Sequence, residues 1–176
     1  TVLSGWFLID WLRSFFQAIV FADPTAQLEI VSRDPPEAIS AALQPSSAWA
    51  SNLTIIAAHP AEMAAIVQRH TASVMFFTGG LSKLGSSPTR MAEVLGSGRP
   101  VIANAGVGDV GDIVRSRNVG VLASGNDRSS MDTCVDQFLD LLKDPQLSGR
   151  CRMAAEELFS LESGTAIYSE LYACLI

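Results

Sequence analysis

The run Ser73-Val74-Met75-Phe76-Phe77 has no polar residue after its first position. A strand with one wet face alternates polar and apolar residues; one apolar on both faces must be covered on both. Such a strand belongs in the interior of a sheet that has helices above and below. Val101-Ile102-Ala103 is a second short apolar run of this kind. Around these two, strand-like and helix-like segments alternate along the chain. Thr1-Val2-Leu3, Gln27 to Ser32, Asn52 to Ala57, Ser73 to Phe77, Pro100 to Asn104 and Val119 to Leu122 read as strands. Trp6 to Phe21, Pro35 to Leu43, Pro60 to His70, the residues after Ser87, and a short stretch from the turn at Gly106 to Gly111 on to Arg115 read as the intervening helices. From Ser129 the pattern is helical: Met131 to Lys143, Pro145 to Phe159 and Gly164 to Leu175. Alternation of this kind predicts an α/β domain with a parallel sheet of about six strands and helices on both faces.

Ligands of such sheets sit beyond the carboxyl ends of the strands. Two Gly-rich loops follow strands and so fall on that edge: Gly79 to Ser86, and Gly106 to Gly111. The first runs into a short helix. Ser87 is a candidate N-cap and Pro88 suits the first turn. Gly96 and Gly98 stop the helix. A loop entering a helix in this way offers free backbone N–H groups and the positive end of the helix dipole, which suits a phosphate. Lys83 and Arg90 add positive charge. Glu93 shares a helical face with Thr89, one turn further in. Its carboxylate can accept hydrogen bonds from sugar hydroxyls. An anion cradle with a carboxylate one turn below describes a nucleotide-sugar site.

The order Phe77 to Asn104, then Gly106-Val107-Gly108-Asp109-Val110 and Gly120-Val121-Leu122, resembles the donor-binding half of a retaining GT-B glycosyltransferase. The closest group is the one that includes glycogen synthases, sucrose synthases and many bacterial polysaccharide and lipopolysaccharide enzymes. The shared pattern is a small or polar loop, Pro-x-x-x-x-Glu on a helix, small-Gly-x-Pro-Val-Ile/Val-Ala, and a Gly-rich turn. The resemblance is weak before Val74 and good from Val74 to Leu122. It implies a Rossmann-like C-terminal domain spanning residues 1–176, with the N-terminal acceptor domain of the same polypeptide absent. It also implies sugar transfer from a nucleotide diphospho-sugar to a glycan, lipid or other acceptor, with retention and without metal or other cofactor. On this resemblance Glu93 binds the donor ribose. Ser86, Ser87, Thr89, Lys83, Arg90 and Gly85 line the nucleotide-sugar site from the first loop and helix, and Gly106 and Gly108 line its sugar side. Catalytic residues are not identified.

Two departures stand out. The glutamate that the family places eight residues before Glu93, against the donor hexose, is replaced by Gly85. Ser82-Lys83-Leu84-Gly85-Ser86-Ser87-Pro88-Thr89 instead resembles a loop variant of some bacterial members. The Arg and Lys that commonly follow the first strand are missing from Ser4-Gly5-Trp6-Phe7. The diphosphate charge then falls to Lys83, Arg90, Arg33 or the other domain. A degenerate, non-catalytic nucleotide-binding or assembly domain is the second reading.

Gly106-Val107-Gly108-Asp109-Val110-Gly111 also matches the dinucleotide fingerprint G-x-G-x-x-G, with Asp127 near the expected acidic position. Against NAD stand the short following helix, the carboxylate of Asp109 in the cradle, and the late position of the strand. His59 follows the third strand on the ligand edge, where a satisfied surface histidine is the simpler reading. Trp6, Trp11 and Trp49 read as packing residues.

Composition bounds the rest. The 176 residues are 48% hydrophobic, enough for one domain with a core. A formal net charge of −6 argues against a general nucleic-acid binder, which needs a basic face. Three cysteines without ligand spacing, and only two histidines, give no metal motif and read as reduced thiols in a cytosolic protein. Asp10 and Arg13 interrupt the apolar start, so no signal peptide is expected. No stretch is long enough and free of charges to span a bilayer. By resemblance, the full enzyme is expected at the inner face of a membrane, peripherally bound. The first residue is not Met and the opening is already strand-like, which reads as a fragment.

Overall fold

The structure is a computed structural model that describes residues 7–87 and 89–174. The expected first strand, Thr1-Val2-Leu3, the turn at Ser4-Gly5, and Pro88 lie outside the described residues.

Among the described residues, five strands alternate with helices: α1 (Ile9–Ala22), β1 (Leu28–Val31), α2 (Pro36–Leu43), β2 (Leu53–Ile56), α3 (Met63–Arg69), β3 (Ser73–Met75), α4 (Thr89–Gly96), β4 (Val101–Asn104), α5 (Val110–Arg117) and β5 (Gly120–Ala123). Three helices follow: α6 (Arg128–Leu141), α7 (Leu147–Phe159) and α8 (Leu161–Ala173). Every strand pairing is parallel, as expected. Instead of one continuous sheet, the described strands form a two-stranded sheet, β1-β2, and a three-stranded sheet in the order β3-β4-β5. An isolated antiparallel bridge joins Phe7 to Phe77, just past β3.

The apolar strands do what their patterning requires. In β4, Ile102 packs into one core with β5 residues Val121 and Ala123 and with α1, α2 and α6. Its neighbours Val101 and Ala103 face the other core, with residues of α4, α5 and α7. All four residues of β4 are buried. The period-two alternation of a strand therefore feeds two cores, one on each side of the sheet. Trp49 is fully buried and meets Phe16 edge to face at 5.7 Å, while Trp11 packs on Phe76 at 5.8 Å. Both are packing residues, as expected.

Gly120 opens β5 opposite Val101, where a Cβ would overlap the Val101 carbonyl. The close approach of β5 to β4 needs a glycine there. Arg13 of α1 donates from Nε to Leu43 O at 2.6 Å and from Nη2 to Ala42 O at 2.9 Å, at the carboxyl end of α2. A cation there satisfies orphan carbonyls and suits the helix dipole. Cys134 and Cys151 are buried on α6 and α7, and burial pushes both thiols up to about 11. Cys174 is exposed. Among the described residues, no helix is long and apolar enough to cross a membrane.

Candidate functional site

β3 and β4 run parallel, so the loops leaving their carboxyl ends emerge on one edge. The first loop, from residue 76 to residue 87 among the described residues, carries a 3-10 turn at Leu81–Lys83 and precedes α4. The second, residues 105–109, leads into α5.

The two loops are fastened to each other. Gly108 donates its N–H to Lys83 O at 2.9 Å. A Cβ on Gly108 would overlap the Ser86 carbonyl, and its φ is +46°. Only glycine fits a position that is both left-handed and pressed against another backbone. Ser87 Oγ donates to Asp109 Oδ1 at 3.2 Å. Asp109 is the N-cap position of α5, yet its side chain makes no capping bond to its own helix. Ser87 stands two residues before the first residue of α4. The starts of α4 and α5 are thereby tied together, and with them the positive ends of two helix dipoles.

Asn104, the last residue of β4, holds the base of both loops. Its Oδ1 accepts the Phe77 N–H at 2.8 Å, and its amide donates to Phe77 O at 2.9 Å and Ala105 O at 3.1 Å. It is one of three buried polar side chains among the described residues, at 6% exposure. A buried amide whose donors and acceptor are bonded has its desolvation cost offset by those bonds, and they fix its geometry. In the sequence Asn104 reads only as a strand end. Its signal was a polar residue closing an otherwise apolar strand.

The structure thus brings Lys83 and Ser86 of the first loop against Gly108 of the second, and Ser87 against Asp109. Thr89, Arg90 and Glu93 lie on the exposed side of α4, while Met91, Val94 and Leu95 are buried beneath. Gly106 is exposed with φ +89°, and Val107 anchors the turn at 3% exposure. Gly85 is exposed, with open space where its side chain would be. The expected N-cap role of Ser87, beside Pro88, lies outside the described residues.

In the dinucleotide fingerprint, the second glycine lets a pyrophosphate approach the backbone. Here Ser86 occupies that approach and Lys83 O takes the N–H. His59 is a capping residue. Its Nδ1 accepts from Ala61 N at 3.5 Å and its own N–H donates to Glu62 Oε2 at 2.6 Å, closing a capping box over a 3-10 turn. No group of three or more His, Cys, Asp or Glu side chains among the described residues is placed to hold a metal ion.

No family model and no curated protein matches the sequence. Solved structures do match the fold. TarM from S. aureus, in a complex with fondaparinux, alpha-GlcNAc-glycerol and UDP, superposes with a TM-score of 0.66 at 20% identity over 94% of this chain. AviGT4, a glycosyltransferase involved in avilamycin A biosynthesis, gives 0.66 at 19% identity over 94%. WaaG, a glycosyltransferase involved in lipopolysaccharide biosynthesis, gives 0.65 at 15% identity over 90%. The chain spans 32%, 47% and 42% of these three proteins. In fold, the chain is a GT-B glycosyltransferase-like domain.

Proposed function

We propose that this domain is the C-terminal, donor-binding half of a retaining, metal-independent glycosyltransferase, and that the fastened edge of the sheet holds a nucleotide diphospho-sugar. The observation that carries the reading is the clasp of Gly108 on Lys83 and Ser86. It sets two helix starts side by side on the carboxyl edge, beside the exposed Glu93 face of α4. The Ser86 N–H is given to Lys83 O at 3.1 Å, so the diphosphate rests on backbone N–H groups beyond it, at Ser87 and the start of α4, with Lys83 and Arg90 supplying positive charge as the leaving group develops. Glu93 accepts from the ribose hydroxyls one turn below. Gly106 and Gly108 border the sugar. The acceptor binds mainly to an N-terminal Rossmann domain of the same polypeptide, which acts in polysaccharide or related glycan synthesis on the cytoplasmic side of a membrane. Alone, the domain binds nucleotide weakly and turns nothing over.

A second reading is favoured by one residue. Gly85 leaves no carboxylate for the hexose, as a degenerate transferase kept for nucleotide binding or assembly would. A full-length chain that consumes a nucleotide sugar decides for the enzyme.

The experiment is calorimetry of UDP, GDP and ADP, and of their 2′,3′-dideoxy forms, against wild type and Glu93→Gln. Charged hydrogen bonds to ribose are worth about 1.5–3 kcal/mol, so the substitution should weaken the ribose-bearing nucleotide about tenfold or more. The dideoxy form should bind weakly and hardly notice it. Equal affinity of both proteins for the ribose form would return Glu93 to the role of a solvated helix acid.

A further inference from the structure

The geometry points to Asn104 as the positioning residue of the nucleotide-sugar site, a role that rests on the function proposed above. Among the described residues, this one side chain makes three hydrogen bonds, all to backbone groups. Two grip both backbone groups of Phe77, where the first loop leaves β3. The third reaches Ala105, where the second loop leaves β4. β3 and β4 are already aligned at Met75 and Ala103, the last pair of their ladder. Beyond that pair, Asn104 takes over the work of the ladder. It sets how far each loop travels before Gly108 must meet Lys83 and Ser86. A small error at its base would be carried outward to the clasp and the helix starts.

The amide orientation follows from the partners: Phe77 N–H requires an acceptor, and the two carbonyls require donors. That chemistry supplies a test which ordinary loss of packing would not reproduce. In Asn104→Asp, an ionised carboxylate keeps the bond from Phe77 N–H but turns an acceptor toward two carbonyl oxygens. Protonated, it has one O–H to donate to Phe77 O or Ala105 O. Burial and those carbonyls favour the protonated form. Nucleotide affinity of the variant, taken as a ratio to wild type at each pH, should therefore rise as pH falls. The charged groups on the two loops, Lys83 and Asp109, are common to both proteins and cancel in the ratio.

The measurement is UDP and GDP binding by calorimetry to wild type, Asn104→Ala and Asn104→Asp, from about pH 8 to about pH 5.5, with thermal melting of each protein alongside. Asn104→Ala should lose about tenfold in affinity while still melting cooperatively. Asn104→Asp should lose as much at the upper pH and recover most of it at the lower. Where the alanine variant does not fold, the pH ratio of the aspartate variant decides. Wild-type affinity in a folded Asn104→Ala, or a ratio flat with pH in Asn104→Asp, would overturn the assignment and leave the proposed function standing. Failure of wild type to bind any nucleotide diphosphate would overturn both.

Discussion

At two glycines of the candidate site, opposite outcomes are expected from the same added methyl group. Gly108 is left-handed and its Cβ position is filled by the Ser86 backbone. Gly108→Ala must push the loops apart or strain the turn, and backbone does not yield as a flexible side chain does. A loss of about 1–3 kcal/mol in unfolding free energy is expected, together with loss of nucleotide binding. Gly85 has open space around it and no left-handed φ. Gly85→Ala should fold with stability within about 0.5 kcal/mol of wild type, and the narrower unfolded ensemble favours it slightly. Gly85→Glu, which restores the carboxylate seen in the resembling family, should be tolerated equally well. Urea unfolding of the three variants checks this, and a stable Gly108→Ala with unchanged binding would refute the clasp. The doublet of glycines was legible in the sequence as a turn. That one of them abuts Ser86 was not, because the contact joins residues brought together only by the parallel pairing of β3 and β4.

Elements were legible for a local reason. Apolar spacing is a property of a few successive residues, so α1, α2, α4, α6 and α7 fall close to where periodicity placed them. Shortfalls sit where a distant partner decides. The helix expected over Pro60 to His70 opens as a 3-10 turn, held by the His59 and Glu62 capping box, before α3 begins. β3 ends at Met75 because Phe77 turns its backbone to Asn104 and its neighbour Phe7. Between elements, Glu29 of β1 accepts from Arg69 Nη2 at 2.6 Å and bonds His70 Nε2 at 2.7 Å, which joins β1 to the end of α3. Burial alone would push the Glu29 carboxyl up, but the bonds from Arg69 and His70 together outweigh it and hold the carboxyl below its ordinary 4.5. A folded pKa below the unfolded one gives stability that is full above the unfolded value and is lost as pH falls through the folded value. Glu29→Gln should therefore lower the melting temperature at neutral pH and flatten the fall that wild type shows below about pH 4.5. Thermal melts from pH 7 to about pH 3 read this directly; parallel curves for the two proteins would show that the junction carries no stability. Asp23, Asp127 and Asp144, also held below their ordinary range by hydrogen bonds, keep a residual acid limb in the variant.

On the scale of the whole molecule, the two cores account for α1 to α7, and α8 stands apart from both. It has no buried residue, and it packs chiefly on α7. Leu161, Ile167, Tyr168, Leu171 and Tyr172 are each more than half exposed, up to 81% for Leu161. In the single chain the apolar side of this helix faces water. The helix is nevertheless well formed at its start, where Ser160 Oγ accepts from Ser163 N at 3.2 Å. A helix that buries nothing gains its order from α7 and from its cap, so its contribution to the stability of the rest must be small. Ending the chain after Phe159, which itself packs on the second core, removes exposed apolar surface and, among the described residues, no core atoms. The truncated domain should melt within a few degrees of the intact chain, since a change of about 1 kcal/mol moves a domain of this size by roughly 2–4 °C. It should also stay monomeric at concentrations where the intact chain self-associates through surface it cannot otherwise cover. Sedimentation and thermal melting of the two proteins test both halves. A large fall in melting temperature would mean that α8 braces α7 and the second core far more than its exposure allows. Equal self-association of both proteins would move the sticky surface elsewhere, to Phe21 or to Leu81 and Leu84 beside the candidate site.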